Sequence, residues 1–168
     1  MSTSITEVDV LTALRNYLIV LFPAVEVVQT QDNGVPMPKG GFIAMNNVNK
    51  VRLSQNVDSY LDPLTPIGEK RILTPTNFTI QLDFYGDASC DWATEVMATF
   101  FDGYGFEAFP ENIKPLYTND PIQVPLINGE QQWEQRWKLD VSLQYNPVVS
   151  TPMQFFDKQQ AIDMIAVQ

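Results

Sequence analysis

Hydrophobic and polar residues alternate most regularly along Glu130–Pro147. Trp133, Gln135, Trp137, Leu139, Val141, Leu143 and Tyr145 share one parity, and Glu134, Arg136, Lys138, Asp140, Ser142 and Gln144 share the other. Strand side chains point alternately to opposite faces, so the pattern predicts one long strand with a heavy apolar face and a charged face. Gly129 precedes it, and Pro147 stops it because proline has no N–H to give to a sheet ladder. Parity places Trp133 and Trp137 in the core with Leu139, Val141 and Leu143. A second strict alternation, Asn77–Tyr85, sets Phe78, Ile80, Leu82 and Phe84 against Thr79, Gln81, Asp83 and Tyr85, and Gly86 ends it.

Two segments carry helical spacing. Thr6 is a good N-cap, Asp9 stands three residues on as a capping-box partner, and Ile5 and Val10 are placed as a hydrophobic staple. Val10, Leu11, Leu14, Leu18, Leu21 and Phe22 then recur on one face before Pro23, predicting a helix over Glu7–Phe22 packed on a sheet. After Gly86, Asp87 or Ser89 caps a second helix. Trp92, Ala93, Val96, Met97, Phe100 and Phe101 form its apolar face, and Gly103 and Gly105 are expected to end it.

The rest is shorter. Val25–Thr30 and Phe42–Met45 read as strands, separated by the turn-forming Gln31–Gly41. Periodicity is lost over Asn46–Thr76, which holds Pro63, Pro66, Gly68 and Pro75; this is either an interaction loop or a long, irregular extended hairpin. Pro110, Pro115, Pro121 and Pro125 keep every element of Phe106–Pro125 short, and 147–168 reads as a loose C-terminal tail with a last apolar run at Ile162–Val167. The expected fold is α+β: a single domain over 1–168, with a mostly antiparallel or mixed sheet flanked by two main helices and an inserted loop or extended hairpin.

Composition narrows the function. The 168 residues are 45% hydrophobic, ample for a core, but only 18% charged, which reflects either a surface covered by a partner or ordinary scatter. A net charge of −10 argues against a basic nucleic-acid footprint, though not against DNA passing nearby without sticking. With one cysteine, Cys90, no intrachain disulfide forms. With no histidine, the commonest general base and metal ligand are missing. The polar start MSTSITEVDV has no signal-peptide pattern, and no run reaches the ~20 apolar residues of a membrane span, so a soluble protein made in the cytoplasm is expected.

Candidate chemistry is thin. Asp83, Asp87 and Asp91 invite a carboxylate-dependent hydrolase. Their plainer roles are a solvent-facing strand residue, a turn and a helix first turn, where acids suit the macrodipole. No phosphate-loop pattern is present, and serine and Cys90 lack a histidine partner, so an enzyme is not expected and no cofactor or metal is implied. The charged parity of Glu130–Tyr145 has two readings: a solvated face stitched to Gln81 and Asp83 by cross-strand pairs, or a subunit contact.

Five phrases in order, VPMPKGGFIAM (Val35–Met45), QLDFYG (Gln81–Gly86), PLYTNDP (Pro115–Pro121), INGEQQWEQRW (Ile127–Trp137) and LQYNPVVSTPMQFF (Leu143–Phe156), resemble a family of small neck proteins of contractile-tailed bacteriophages and prophages, regarded as tail terminators. The resemblance covers most of the chain and is weakest over Val48–Thr74 and after Phe156. It implies a hexameric ring that caps the tail tube, stops tail polymerisation and offers a surface to the head-side connector. The implied partners are other copies of the chain, the tube protein and sheath, neck proteins, and DNA in non-specific transit through the lumen. No membrane is involved. Such a protein works in the virion, at the tail–neck junction, after assembly in the host cytoplasm. Candidate contact residues are Arg52, Asp58 and Tyr60 in the aperiodic region, Asp83, Glu134, Arg136 and Lys138 on the charged face, and Phe155 and Phe156 in the tail. The alternatives are another head-completion or stopper ring, a tube-like subunit or, remotely, the hydrolase.

Overall fold

A computed structural model describes residues 3–30, 38–62, 67–127, 131 and 133–155. Helix α1 spans Glu7–Leu21 and opens with the expected capping box. Asp9 N–H donates to the Thr6 hydroxyl at 3.3 Å, and Thr6 N–H donates to Asp9 Oδ2 at 2.7 Å. The bonds that the Thr6 N–H and hydroxyl donate to Asp9 Oδ2 hold that carboxyl below its usual pKa. Ile5 and Val10 are both buried, as a staple requires. Strand β1 (Glu26–Gln29) follows, then β2 (Phe42–Arg52), β3 (Val57–Leu61), β4 (Gly68–Leu73) and β5 (Thr76–Tyr85). Helices α2 (Ser89–Phe100) and α3 (Gly103–Ala108) come next. The chain then forms β6 (Ile113–Thr118), β7 (Ile122–Gln123), β8 (Leu126–Ile127), β9 (Trp133–Glu134), β10 (Arg136–Tyr145) and β11 (Val148–Met153).

The main sheet has the order β1-β2-β5-β10-β6, with β7 also on β10; β1 runs parallel to β2 and the other pairs are antiparallel, so the fold is α+β with a mixed sheet. The expected parities hold at its centre. Phe78, Ile80, Leu82 and Phe84 of β5 lie opposite Leu143, Val141, Leu139 and Trp137 of β10. These residues, with Ile43 and Met45 of β2, pack against Leu14, Tyr17 and Leu18 of α1 and Ala93, Val96 and Phe100 of α2 in one core. Both long helices therefore cover the same face of the sheet.

The long aperiodic region is an extended hairpin. A β-bulge at Val48 carries β2 on past Met45, so that strand is far longer than Phe42–Met45. The bulge also shifts its parity: Asn47 lies opposite Ile80, while Lys50 lies opposite Phe78, both on the helix-side face. Beyond the main sheet, β3, β4 and β11 form a second sheet of order β11-β4-β3. The ladders run on almost without interruption, from β2 into β3, from β4 into β5 and from β10 into β11. The result is a three-stranded ribbon crossing both sheets, narrowed at a waist that contains Pro75 and Pro147. Leu53 N–H donates to Pro75 O at 2.8 Å, and Thr74 N–H donates to Pro147 O at 3.0 Å, so each proline still serves as an acceptor. The distal half is an arm reaching about 20 Å along the six residues of β4. The first part of the tail, 148–153, is thus strand rather than loose chain, and Pro152 is accommodated at the sheet edge.

Several expectations are corrected. The strand predicted over Glu130–Pro147 is broken at Gln135, because β5 ends at Tyr85 opposite Arg136 and offers no ladder beyond it. Gly86 N–H donates to Gln135 O at 3.2 Å as the last link, and Trp133 turns away to pair with Ile127. Trp133 is therefore 73% exposed rather than core, while Trp137 packs on the core's edge. The N-cap of α2 is Ala88, with no side-chain bond from Asp87 or Ser89. Phe101 is exposed. Neither Gly103 nor Gly105 ends α2 in a left-handed conformation; both lie in α3, and a Cβ on Gly105 would come within 2.1 Å of Phe100 O, so glycine lets α3 close onto the end of α2. Turn residues 31–37 and tail residues 156–168 lie outside the described residues.

Tyr17 yields a prediction. It is 2% exposed, its hydroxyl meets the Thr99 hydroxyl at 2.6 Å, and burial pushes its pKa up to about 12. The unfolded chain ionises near pH 10 while the folded chain stays neutral. The stability Tyr17 contributes is thus complete below pH 10 and is lost as the pH rises towards about 12, by on the order of 2 kcal/mol. Urea unfolding between pH 8 and 12 should show this fall, and Tyr17→Phe should flatten it while lowering neutral-pH stability by about 1 kcal/mol.

Candidate functional site

The face of the main sheet away from the helices carries the polar parity, and its centre is an internally matched network. Asp83 is only 1% exposed, so it is not the solvent-facing strand residue expected. Its Oδ1 accepts from Arg136 Nε at 3.1 Å and pairs with Nη2 at 2.9 Å, its Oδ2 accepts from Asn46 Nδ2 at 2.7 Å, and Gln81 Nε2 lies 2.9 Å from both oxygens. The residue directly across from Asp83 is Lys138; Arg136 reaches it diagonally and lays its guanidinium 5.6 Å from the Tyr85 ring centre, which in turn stacks on Phe42. Lys138 pairs instead with Asp140 at 3.5 Å, and Asp140 is gripped by Asn119 through its backbone N–H at 2.7 Å and its carboxylate at 3.2 Å. The cross-strand reading of this face is the one the geometry supports: every charge of β5 and β10 has an opposite neighbour within the chain.

This geometry separates the three aspartates. Asp83 lies on the open face of the sheet, Asp91 is exposed on α2 against the opposite face, and Asp87 is exposed in the turn between them. They do not form a paired-carboxylate site, and among the described residues no group of His, Cys, Asp and Glu is arranged to hold a metal. Cys90 is half-buried in α2.

Apolar exposure is concentrated elsewhere. On the arm, Val51, Leu53, Val57, Tyr60, Leu61 and Ile67 are each roughly half exposed. All five residues of β3 are exposed, and β3 is the outer strand of its sheet. Asp58 pairs with Lys70 at 2.8 Å, which raises the Lys70 pKa, and the Lys70 ammonium lies over the Tyr60 ring. Hydrogen bonds from Ser150 and Arg71 hold the Glu69 carboxyl below its usual pKa. Phe155 crosses back from β11 over the arm, edge-on to Tyr60 at 6.4 Å, in the space left by Gly68, where any Cβ would strike its ring. The arm thus brings Asp58, Tyr60 and Phe155 together, with Arg52 at its root. Asp83 and Arg136 form the core of the network on the other sheet. Glu134 is exposed on the small β8–β9 hairpin, and Phe156 lies outside the described residues.

Two surfaces were not foreseen. An open groove of about 730 Å³ runs between the β8–β9 hairpin and the end of β2 and β5, lined by Gly41, Phe42, Tyr85, Ile127 and Trp133. At the α2–α3 corner, Phe101, Tyr104 and Phe106 stand exposed. For this corner the available signal was a stretch from Ala88 to Ile113 holding acids but no Lys or Arg, with aromatics too closely spaced for one buried helix face.

Apolar side chains gathered on an arm, a hairpin and a corner, around a core with its charges internally matched, define a structural subunit whose surfaces meet other chains. Residues 8–168 match the family model described as phage neck terminator protein, and the chain belongs to that family. It is accordingly a structural protein of the phage neck, a virion component that associates with other neck and tail proteins. No curated protein matches the chain. Among the described residues no helix is long and apolar enough to cross a membrane.

Removing Arg136 should strand the Asp83 carboxylate in a nearly dry site. Arg136→Ala is expected to cost about 2–4 kcal/mol in urea unfolding, and adding Asp83→Asn should recover a substantial part of that loss. A loss below 0.5 kcal/mol for Arg136→Ala would show that the pair does not hold the two strands (~ surface-level effect).

Proposed function

We propose that this chain is a tail terminator folded as one domain over 1–168. Six copies form a ring that caps the tail tube, halts its polymerisation and presents a surface to the head-side connector, with DNA passing through the lumen. Family membership supports the setting, and the arm carries the reading: a chain that needed no neighbour would not extend three strands past its helices with apolar side chains on the outer one. A net charge of −10 per copy disfavours adhesion to the phosphate backbone, which suits DNA in transit. Contacts through Arg52, Asp58, Tyr60 and Phe155 on the arm join neighbouring copies or the tube.

The test is a pair of charges on the outer strand. Val57→Asp with Leu61→Asp alters exposed positions only, so thermal stability should stay within about 0.5 kcal/mol of the unaltered chain. Ring formation, followed by light scattering with and without purified tail tube, should be lost, and tails assembled with the variant should be uncapped and irregular in length. Normal rings and normal tails from a correctly folded variant would remove the arm from assembly. Open stacks of rings from the unaltered chain would make it a tube-like subunit.

A further inference from the structure

The α2–α3 corner is a surface the preceding roles leave unused. Phe101, Tyr104 and Phe106 are 60%, 45% and 43% exposed, and the Phe101 and Phe106 rings meet edge to face at 6.1 Å. Large aromatic side chains grouped in water mark a contact surface. Exposed acids surround them: Glu95, Asp102, Glu107 and Glu111. The next basic residue, Lys114, is spent within the chain, donating to the carbonyls of Phe106 at 2.9 Å and Phe109 at 3.1 Å with its ammonium beside the Phe106 ring.

The complement of this corner lies on the same chain. Lys50, Arg52, Lys70 and Arg71 stand on the arm and its root, next to exposed Val51, Leu53 and Tyr60. Lys70 and Arg71 have acidic partners within the arm, whereas Arg52 makes no ion pair among the described residues. The two patches also sit at opposite edges of the main sheet. The outer strand of the arm, β3, continues the line of β2, towards the β1 edge of the main sheet, and α3 packs on β6, the strand at the other edge.

We propose that the arm of one copy docks on the α2–α3 corner of the next, Arg52 facing the acids around Asp102 and the arm's apolar side chains covering Phe101 and Phe106. The partner is a second copy of this chain, identified by charge complementarity and by the placement of the two patches. Non-overlapping patches on opposite edges make a heterologous contact in which every copy gives one arm and receives one, the arrangement that closes into a ring. This rests on the ring reading above and adds the identity of its contact.

Charge reversal tests it on the full chain, by light scattering over a concentration series with and without tail tube. Arg52→Glu alone and Asp102→Arg alone should each raise the midpoint concentration for assembly about tenfold, and the two together should recover most of that loss. Phe101→Ser should weaken assembly at every salt concentration, whereas the reversals should matter less in high salt. Unchanged melting curves establish that each variant is folded. Rings insensitive to both Asp102→Arg and Phe101→Ser, or a double reversal no better than the worse single one, would overturn this contact and leave the ring reading standing. An unaltered chain that forms no oligomer, alone or on the tube, would overturn both.

Discussion

The ten-residue antiparallel ladder between β5 and β10 is the constraint on which everything else depends. It fixes which residues face the helices, and therefore where α1 and α2 lie. It brings Arg136 within reach of Asp83. Its continuation through β4 and β11 gives the arm its direction. A slip of β10 by one residue would turn Leu139 away from the helices and Lys138 towards them. Two features oppose a slip. One is the apolar set on the helix side. The other is the diagonal Arg136–Asp83 pair, which no neighbouring register would reproduce. The pair's role is therefore better described as specifying the alignment than as adding stability, since desolvation offsets most of the Coulomb gain of a buried charge pair.

How much of this was legible depended on whether one side of an element met the core and the other met water. Helix α1 and strand β5 satisfy that condition, and their patterns gave both type and boundaries to within a residue or so. Strand β2 does not: Phe42–Met45 is buried on both faces, and the bulge at Val48 then reverses its parity, so no single period spans it. The arm fails in the opposite way. Its strands meet no helix, so hydrophobic and polar residues need not alternate, and the loss of pattern over Asn46–Thr76 was itself the signature of a projecting ribbon. Trp133 was misplaced because alternation persists after the partner strand has ended; period alone carries no information about where a ladder stops.

Of the candidate contact residues, a cross-strand contact between Asp83 and the charged face of β10 followed from aligning two patterned strands. Alignment sets Lys138 opposite Asp83, however, and does not pick out the diagonal Arg136. The burial of Asp83 did not follow either, because parity assigns a side and not a depth. Arg52, Asp58 and Tyr60 were accessible only as members of a region without periodicity, and the structure joins the latter two with Phe155 through a fold-back over Gly68 that no local pattern encodes. The corner formed by α2 and α3 stayed hidden for a related reason. Phe101 continues the spacing of a buried helix face for one residue too many: α2 ends at Phe100, and Phe101 stands exposed as its C-cap.

The proline-bearing waist gives the molecule a mechanical property distinct from its chemistry. Pro75 and Pro147 lie in the breaks between β4 and β5 and between β10 and β11, and neither can donate to a ladder. The ribbon is therefore stiff on both sides and compliant between them, with backbone bonds such as Leu53 to Pro75 and Thr74 to Pro147 acting as tethers. A subunit hinged in this way can absorb small angular misfits where it meets a neighbour without transmitting strain to the packed core. Tolerance of imperfect geometry is then confined to one short joint, while the register of the central ladder stays unaltered.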